Sequence, residues 1–138
     1  MDSLETSIDE DCVYACPNKD VLPVKKPSYN PHPDGCNLIG LNIGRMLTVE
    51  INECCKAHGA CYETCNNSKD QCDQDLKRCL YKYCEDFGEN STDEHTQSKS
   101  CHGVAKMLYA QQIALGCRSY LDSQARACDC QGKRKIKL

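Results

Sequence analysis

The chain has no tryptophan, one phenylalanine, and no apolar run near the ~20 residues that a membrane-spanning helix needs. Apolar residues, with the cysteines counted among them, make up only 40% of the sequence, so a modest core is expected. The Cys-x-x-Cys spacing of zinc knuckles occurs nowhere. The nearest spacings are Cys12/Cys16, Cys61/Cys65 and Cys128/Cys130, which argues against metal clusters as the use of the cysteines. The first residues, Met-Asp-Ser-Leu-Glu, lack the basic start and apolar stretch of a signal peptide, so a secreted protein would here be a mature form or a fragment. The net charge of −3 gives no basic excess that would suggest nucleic acid as a partner.

Cysteine, in contrast, is abundant: 14 of 138 residues. An even number at this density is the signature of a disulfide scaffold, and such scaffolds persist in oxidising, extracytoplasmic compartments. Each bridge typically adds roughly 2–4 kcal/mol, enough together to offset a thin core. One domain is expected, over about residues 12–130. A disordered acidic leader (1–11, five acids and no base) precedes it, and a basic tail (131–138, with Lys133, Arg134, Lys135 and Lys137) follows.

From Cys12 to Asp34 all five prolines occur without helical period, which predicts an extended arm pinned by Cys12 and Cys16. Ile51, Cys54 or Cys55, His58, Cys61, Tyr62 and Cys65 then recur at three- and four-residue steps, predicting a helix from about Leu47 to Cys65 that Asn66-Asn67 would stop. Ser68-Lys69-Asp70-Gln71 reads as a capping box for a second helix, with Cys72, Leu76, Cys79, Leu80 and Tyr83 as its inward stripe. Residues 85–100 read as a polar linker. A third helix is expected near 101–115 with Gly116 as its stop, and a short helical turn from Asp122 to Cys128.

Cys54 and Cys61 are seven residues apart on the first helix, as are Cys72 and Cys79 on the second. If the two helices are antiparallel, Cys54 can pair with Cys79 and Cys61 with Cys72, giving two rungs with His58 between them. The window facing His58 holds both Asp73 and Asp75, and the spacing does not choose between them. A histidine fixed between cross-links is well placed to act as a general base.

These residues resemble the secreted phospholipases A2, whose pattern Cys-Cys-x-x-His-Asp-x-Cys-Tyr appears here as Cys54-Cys55-x-x-His58-Gly59-x-Cys61-Tyr62, with Cys72-Asp73 and Cys79 following. The flanks are similar to the group XII branch: Leu41-Asn42-Ile43-Gly44, Cys61-Tyr62-Glu63-Thr64-Cys65, Gly116-Cys117, and Tyr120-Leu121-Asp122-Ser123-Gln124. The resemblance implies a mainly α, disulfide-rich fold with two long antiparallel cross-linked helices and a third helix. It implies His58 as the base, Asp73 as the carboxylate that orients it (expected through imidazole Nδ1), and Tyr62 as a hydrogen-bond partner of Asp73. It also implies a Cys36–Cys55 bridge and a secreted protein that meets membrane surfaces transiently.

One function departs from the pattern. The family's calcium-binding aspartate is replaced by Gly59, and the loop through Cys36, Asn37 and Ile39, whose carbonyls would complete the site, lacks the usual glycines. Calcium prefers six to eight oxygen ligands with carboxylate charge among them, so no cofactor is expected beyond weak calcium. Leu38, Ile39 and Leu41 are apolar candidates for a phospholipid or fatty-acid-like ligand. The leading expectation is a catalytically impaired homologue that binds lipid or a protein partner. The alternatives are an active enzyme hydrolysing the sn-2 ester of glycerophospholipids with calcium, and a purely structural disulfide module.

Overall fold

The computed structural model describes residues 12–33, 45–89 and 94–131, with side chains described over 12–33, 49–86 and 101–131. The leader, the loop candidates Cys36, Asn37, Leu38, Ile39 and Leu41, and the basic residues of the tail lie outside them.

Four helices dominate the described residues: α1 (Arg45–Tyr62), α2 (Lys69–Glu89), α3 (Glu94–Leu115) and α4 (Cys117–Ala127). Two short strands, β1 (Val24–Lys25) and β2 (Cys128–Asp129), pair antiparallel with Val24 opposite Asp129. This ladder holds the proline-rich arm against the end of α4. The arm is otherwise non-helical, as its prolines require, and is fastened at Cys12–Cys117 and Cys16–Cys130.

The expected rungs are present. Cys54–Cys79 and Cys61–Cys72 join α1 to an antiparallel α2 with Cα–Cα distances of 5.8 and 5.7 Å. Cys55 is also disulfide-bonded; the expected Cys36 end of that tie lies outside the described residues. Between the helices the chain reverses tightly, with Asn66 at φ 75°. Asparagine tolerates this left-handed conformation better than most residues, which is why the Asn-Asn pair ends α1. The periodic face reached Cys65, but α1 ends at Tyr62, because the last three positions form the turn, with Thr64 N–H donating to Cys61 O. At its other end α1 begins at Arg45, ahead of the expected Leu47.

Residues 85–100 do not form one long linker. α2 continues to Glu89 and α3 starts at Glu94. Glu, Lys and Gln in this stretch are good helix formers, and Cys84–Cys101 clamps the two helices together. The expected turn at Asp122 is likewise part of a full helix that starts at Cys117. Gly116 does separate α3 from α4, but its φ of −84° is an ordinary right-handed value. Glycine is needed there for space. A Cβ at Gly116 would sit 2.5 Å from Gln112 O and 3.0 Å from the Tyr62 hydroxyl.

The core is small and contains sulfur. Ile51, Cys54, Leu76, Leu80, Cys84, Cys101, Ala105 and Leu108 cluster between α1, α2 and α3, and Cys12, Tyr62, Cys72 and Tyr120 form a second cluster toward α4. The predicted stripe of α2 supplies Cys72, Leu76 and Leu80 fully buried, with Cys79 and Tyr83 at its half-buried edge.

Candidate active site

The second cluster positions the chemistry. His58 and Tyr62 lie one turn apart on α1, with ring centroids 4.2 Å from each other, and flank the Cys61–Cys72 rung. Across that rung Asp73, 1% exposed, receives three hydrogen bonds. His58 Nε2 and the Tyr62 hydroxyl both reach Oδ1 at 2.7 Å, and Lys69 Nζ reaches Oδ2 at 2.7 Å. The choice left open by spacing falls on Asp73. Asp75 is exposed and engages Gln71 and Arg78 on the surface. The contact runs through Nε2, not the expected Nδ1, since the imidazole approaches α2 by the edge of the ring distal to its own backbone.

Electrostatics fix where the proton shared by His58 and Asp73 lies. Burial pushes the Asp73 carboxyl up, but the hydrogen bonds from His58, Lys69 and Tyr62, together with the Lys69 charge, outweigh it and hold the group below its ordinary value. Burial drives the Tyr62 phenol well above its usual range, and the Asp73 carboxylate adds to the effect, so Tyr62 remains a donor. An ionised carboxylate only accepts, so the shared proton rests on Nε2. In neutral His58, Nδ1 is then the nitrogen with a lone pair to offer.

His58 and Gly59 form part of the wall of a cavity of about 540 Å³, with Leu76 from α2, Leu108 and Gln112 from α3, and Arg126 from α4 also lining it. That volume is in the range of small-molecule sites. Glu63 borders the same cavity, one turn beyond Gly59. Its carboxylate accepts from the Tyr29 hydroxyl at 2.8 Å and the His32 main-chain N–H at 3.0 Å, and pairs with Arg126 at 3.3 Å. Burial raises the Glu63 carboxyl, but these donors more than reverse the effect and keep it charged. The described residues contain no group of three or more His, Cys, Asp or Glu side chains arranged to hold a metal.

Three participants were not singled out from the sequence. Lys69 was assigned only to a cap. Ser68 does cap α2, accepting from Gln71 N–H, but the box is not closed, because the Gln71 side chain turns to Asp75. The four-residue spacing of Lys69 and Asp73 was the available clue. Glu63 and Arg126 meet from positions far apart in sequence, and no local pattern links them. Tyr62 stands where the resemblance placed it. Lys56, two residues before His58, is on the surface beside Glu53.

The family model described as "Group XII secretory phospholipase A2 precursor" matches residues 2–138. The chain belongs to this family. The Homo sapiens "Group XIIA secretory phospholipase A2" is 38% identical over 133 residues, covering 92% of this chain and 67% of that protein. The Mus musculus protein of the same description is 37% identical over 132 residues, 92% of this chain and 66% of its own length. The Mus musculus "Group XIIB secretory phospholipase A2-like protein" is 28% identical over 133 residues, covering 92% of this chain and 68% of that protein. This group XII chain therefore spans about two thirds of the length of the curated relatives it matches. No solved structure matches it.

Proposed function

We propose that this chain is a secreted, group XII phospholipase A2-type protein that binds a phospholipid or fatty-acid-like molecule in the His58 cavity and hydrolyses esters slowly at best. The carrying observation is the pairing of an intact base dyad with Gly59 on the wall of the same cavity. By resemblance, position 59 is where the calcium carboxylate belongs. Glu63, the carboxylate one turn further on, is already held by Tyr29, His32 and Arg126. The described donors therefore do not fit a strong calcium centre, which needs several oxygens and carboxylate charge.

The dyad can still perform proton transfer. A water at Nδ1 would give its proton to neutral His58 as its oxygen attacks an ester carbonyl, and the imidazolium would then return that proton to the alcohol oxygen as the acyl–oxygen bond breaks. Asp73 would hold the imidazolium through Nε2–H while Tyr62 and Lys69 keep the carboxylate in place. The cation on the cavity wall, Arg126, is paired with Glu63 and so is a weak counter-charge for the oxyanion. Losing such stabilisation typically costs about 10²–10³ in rate for a single donor, and more for a cation. The secreted location is supported by six disulfides with both ends among the described residues and by secretory relatives. No described helix is long and apolar enough to cross a membrane, and the proposed contact with membrane surfaces is transient.

A second reading, an active calcium-dependent phospholipase A2, is favoured by the full set of hydrogen bonds on Asp73, which a pure scaffold would not need. One experiment separates the two. The full chain is titrated with a short-chain monomeric phosphatidylcholine by calorimetry, with and without calcium, and free fatty acid is assayed in the same samples. The expected result is calcium-independent binding without significant fatty-acid release. Binding should disappear in Gly59→Leu, which puts a side chain into the cavity. Brisk calcium-dependent release by the unmodified chain would establish the second reading instead.

A further inference from the structure

The cavity beside His58 has two kinds of lining. Leu76 from α2 and Leu108 from α3 supply an apolar part. α4 supplies a polar one: Ser119, Ser123 and Arg126 recur at steps of four and three and so share a face of that helix. On α3 the Gln112 carbonyl is already taken, accepting from Lys69 Nζ at 2.7 Å and from the Gly116 N–H at 3.0 Å. The α4 face, in contrast, holds donors with capacity to spare.

Among the described residues of the lining, Glu63 and Arg126 carry opposite permanent charges, and His58 and Tyr62 are the other titratable groups. The charged pair is unequal in depth. The Glu63 side chain is 8% exposed and that of Arg126 54%, so an entering ligand meets the cation. It is also unequal in dependence. Glu63 Oε1 accepts from Tyr29 and from the His32 main chain, and the Arg126 contact with Oε2, at 3.3 Å, is the longest of the three. Arg126 reaches both Glu63 and Ser123 through one nitrogen, Nη2, and the Tyr29 hydroxyl lies beside the guanidinium. A guanidinium carries five N–H donors in a planar fork, so hydrogens remain for a second anion. Ser123, 5% exposed, accepts from Arg126 at 3.2 Å but gives its own hydroxyl proton to no acceptor among the described residues.

We propose that this face of α4 is a phosphate subsite: Arg126 and Ser123 dock the phosphodiester of a glycerophospholipid whose acyl chains lie along Leu76 and Leu108. The inference rests on the reading of the cavity as a lipid site and narrows its ligand to the phosphorylated class. A paired Arg126 does little for an oxyanion that forms only transiently. A phosphodiester carries its charge before it binds and presents two unesterified oxygens to the fork. Its tetrahedral oxygens also suit donors spread over a helical turn, whereas a carboxylate offers two oxygens in one plane. The reach is right for the ester as well. Glu63, the partner of Arg126, continues the helical path of α1, its N–H donating to Gly59 O at 3.0 Å. Five residues separate it from His58, about 7.5 Å along a helix axis. The few bonds of glycerol between a phosphate and the sn-2 ester span a comparable length.

The test is calorimetry on the full chain, with calcium chelated and three probes of one tail length, each below its critical micelle concentration: decylphosphocholine, decanoate and uncharged monodecanoylglycerol. The unmodified chain should bind decylphosphocholine more tightly than the other two. Arg126→Gln should weaken that probe by about tenfold or more, the worth of a charged hydrogen bond, and leave monodecanoylglycerol within about twofold. Ser123→Ala should weaken decylphosphocholine by about threefold and spare monodecanoylglycerol. Arg118→Gln, which removes an exposed arginine from the same helix, should change no affinity. If Arg126→Gln does not fold, Arg126→Gln/Glu63→Gln leaves neither charge unpaired and should lose the phosphocholine preference in the same way. Loss of the fold in both would make the pair structural and overturn the proposal. An Arg126→Gln protein that keeps the parent's affinity for decylphosphocholine would also overturn it, as would one that loses decanoate equally, since the face would then read any anion. In those cases lipid binding in the cavity stands and only the subsite fails. If no probe binds the unmodified chain, the lipid-site reading fails, and the subsite with it.

Discussion

The Gln124 side-chain amide, 62 residues from Tyr62 in sequence, donates a 2.7 Å hydrogen bond to the Tyr62 main-chain carbonyl at the end of α1. The same nitrogen reaches Thr64 O at 2.9 Å, and its oxygen accepts from Asn66 N–H at 2.9 Å. Gln124 therefore caps, from α4, the helix end and the turn that carry the site, and it is 1% exposed. Helix termini leave carbonyls without intrahelical partners, and here one distant side chain supplies them.

Gln124→Leu preserves much of the volume but removes three hydrogen bonds to the main chain. The expected loss is roughly 2–4 kcal/mol in denaturant unfolding, since buried groups are left unsatisfied. A change below the error of that measurement would show that water replaces the cap.

Asp73 gives the protein an acid-sensitive component of stability. Its carboxyl is depressed in the folded protein, so its contribution is complete above the unfolded value of ~3.9 and is lost as pH falls through the lower, folded value. Asp73→Asn should abolish that component in the pH dependence of unfolding. At neutral pH it should cost about 3–5 kcal/mol, because Lys69 is left buried without its counter-ion. Equal acid sensitivity in variant and parent would assign the effect to another carboxyl, with Glu63 the first candidate.

On the proposed reading, Gly59→Asp adds one carboxylate toward a calcium site. Calorimetry should detect stronger calcium binding in the variant than in the parent, with a small gain in phospholipid hydrolysis. Combining it with a glycine-rich graft between residues 34 and 41 should raise both further, because carbonyl ligands and carboxylate charge act together. A double variant that binds calcium tightly yet stays inactive would locate the defect in the base.

Replacing Cys61 and Cys72 together by alanine opens a bridge of sequence separation 11, and replacing Cys54 and Cys79 opens one of 25. Chain entropy predicts similar costs of about 3 kcal/mol each. Their effects on the site should differ. Cys61 is flanked by Tyr62 and lies three residues from His58, and Cys72 precedes Asp73. The first pair should therefore disturb the His58 imidazole spectrum much more than the second. Equal disturbance would mean that α1–α2 packing, not the nearby rung, aligns the dyad.

Residue spacing alone makes the helix pair legible and suggests its two rungs with His58 between them. Those features follow from three-, four- and seven-residue spacings, which the helix geometry converts directly into a face. Motif resemblance then singled out Asp73 and Tyr62 from their neighbours. How Asp73 is held follows from contacts between elements, which no local pattern records. The edge of the imidazole that meets it depends on the relative placement of α1 and α2. The roles of Lys69, Gln112 and Gly116 depend on where α3 ends. Glu63 and Gln124 find their partners in the arm and in the α1–α2 turn, far away in the chain. Periodicity registers which face a residue occupies, but a buried charge or amide is assigned its role by the donors and acceptors that folding brings to it.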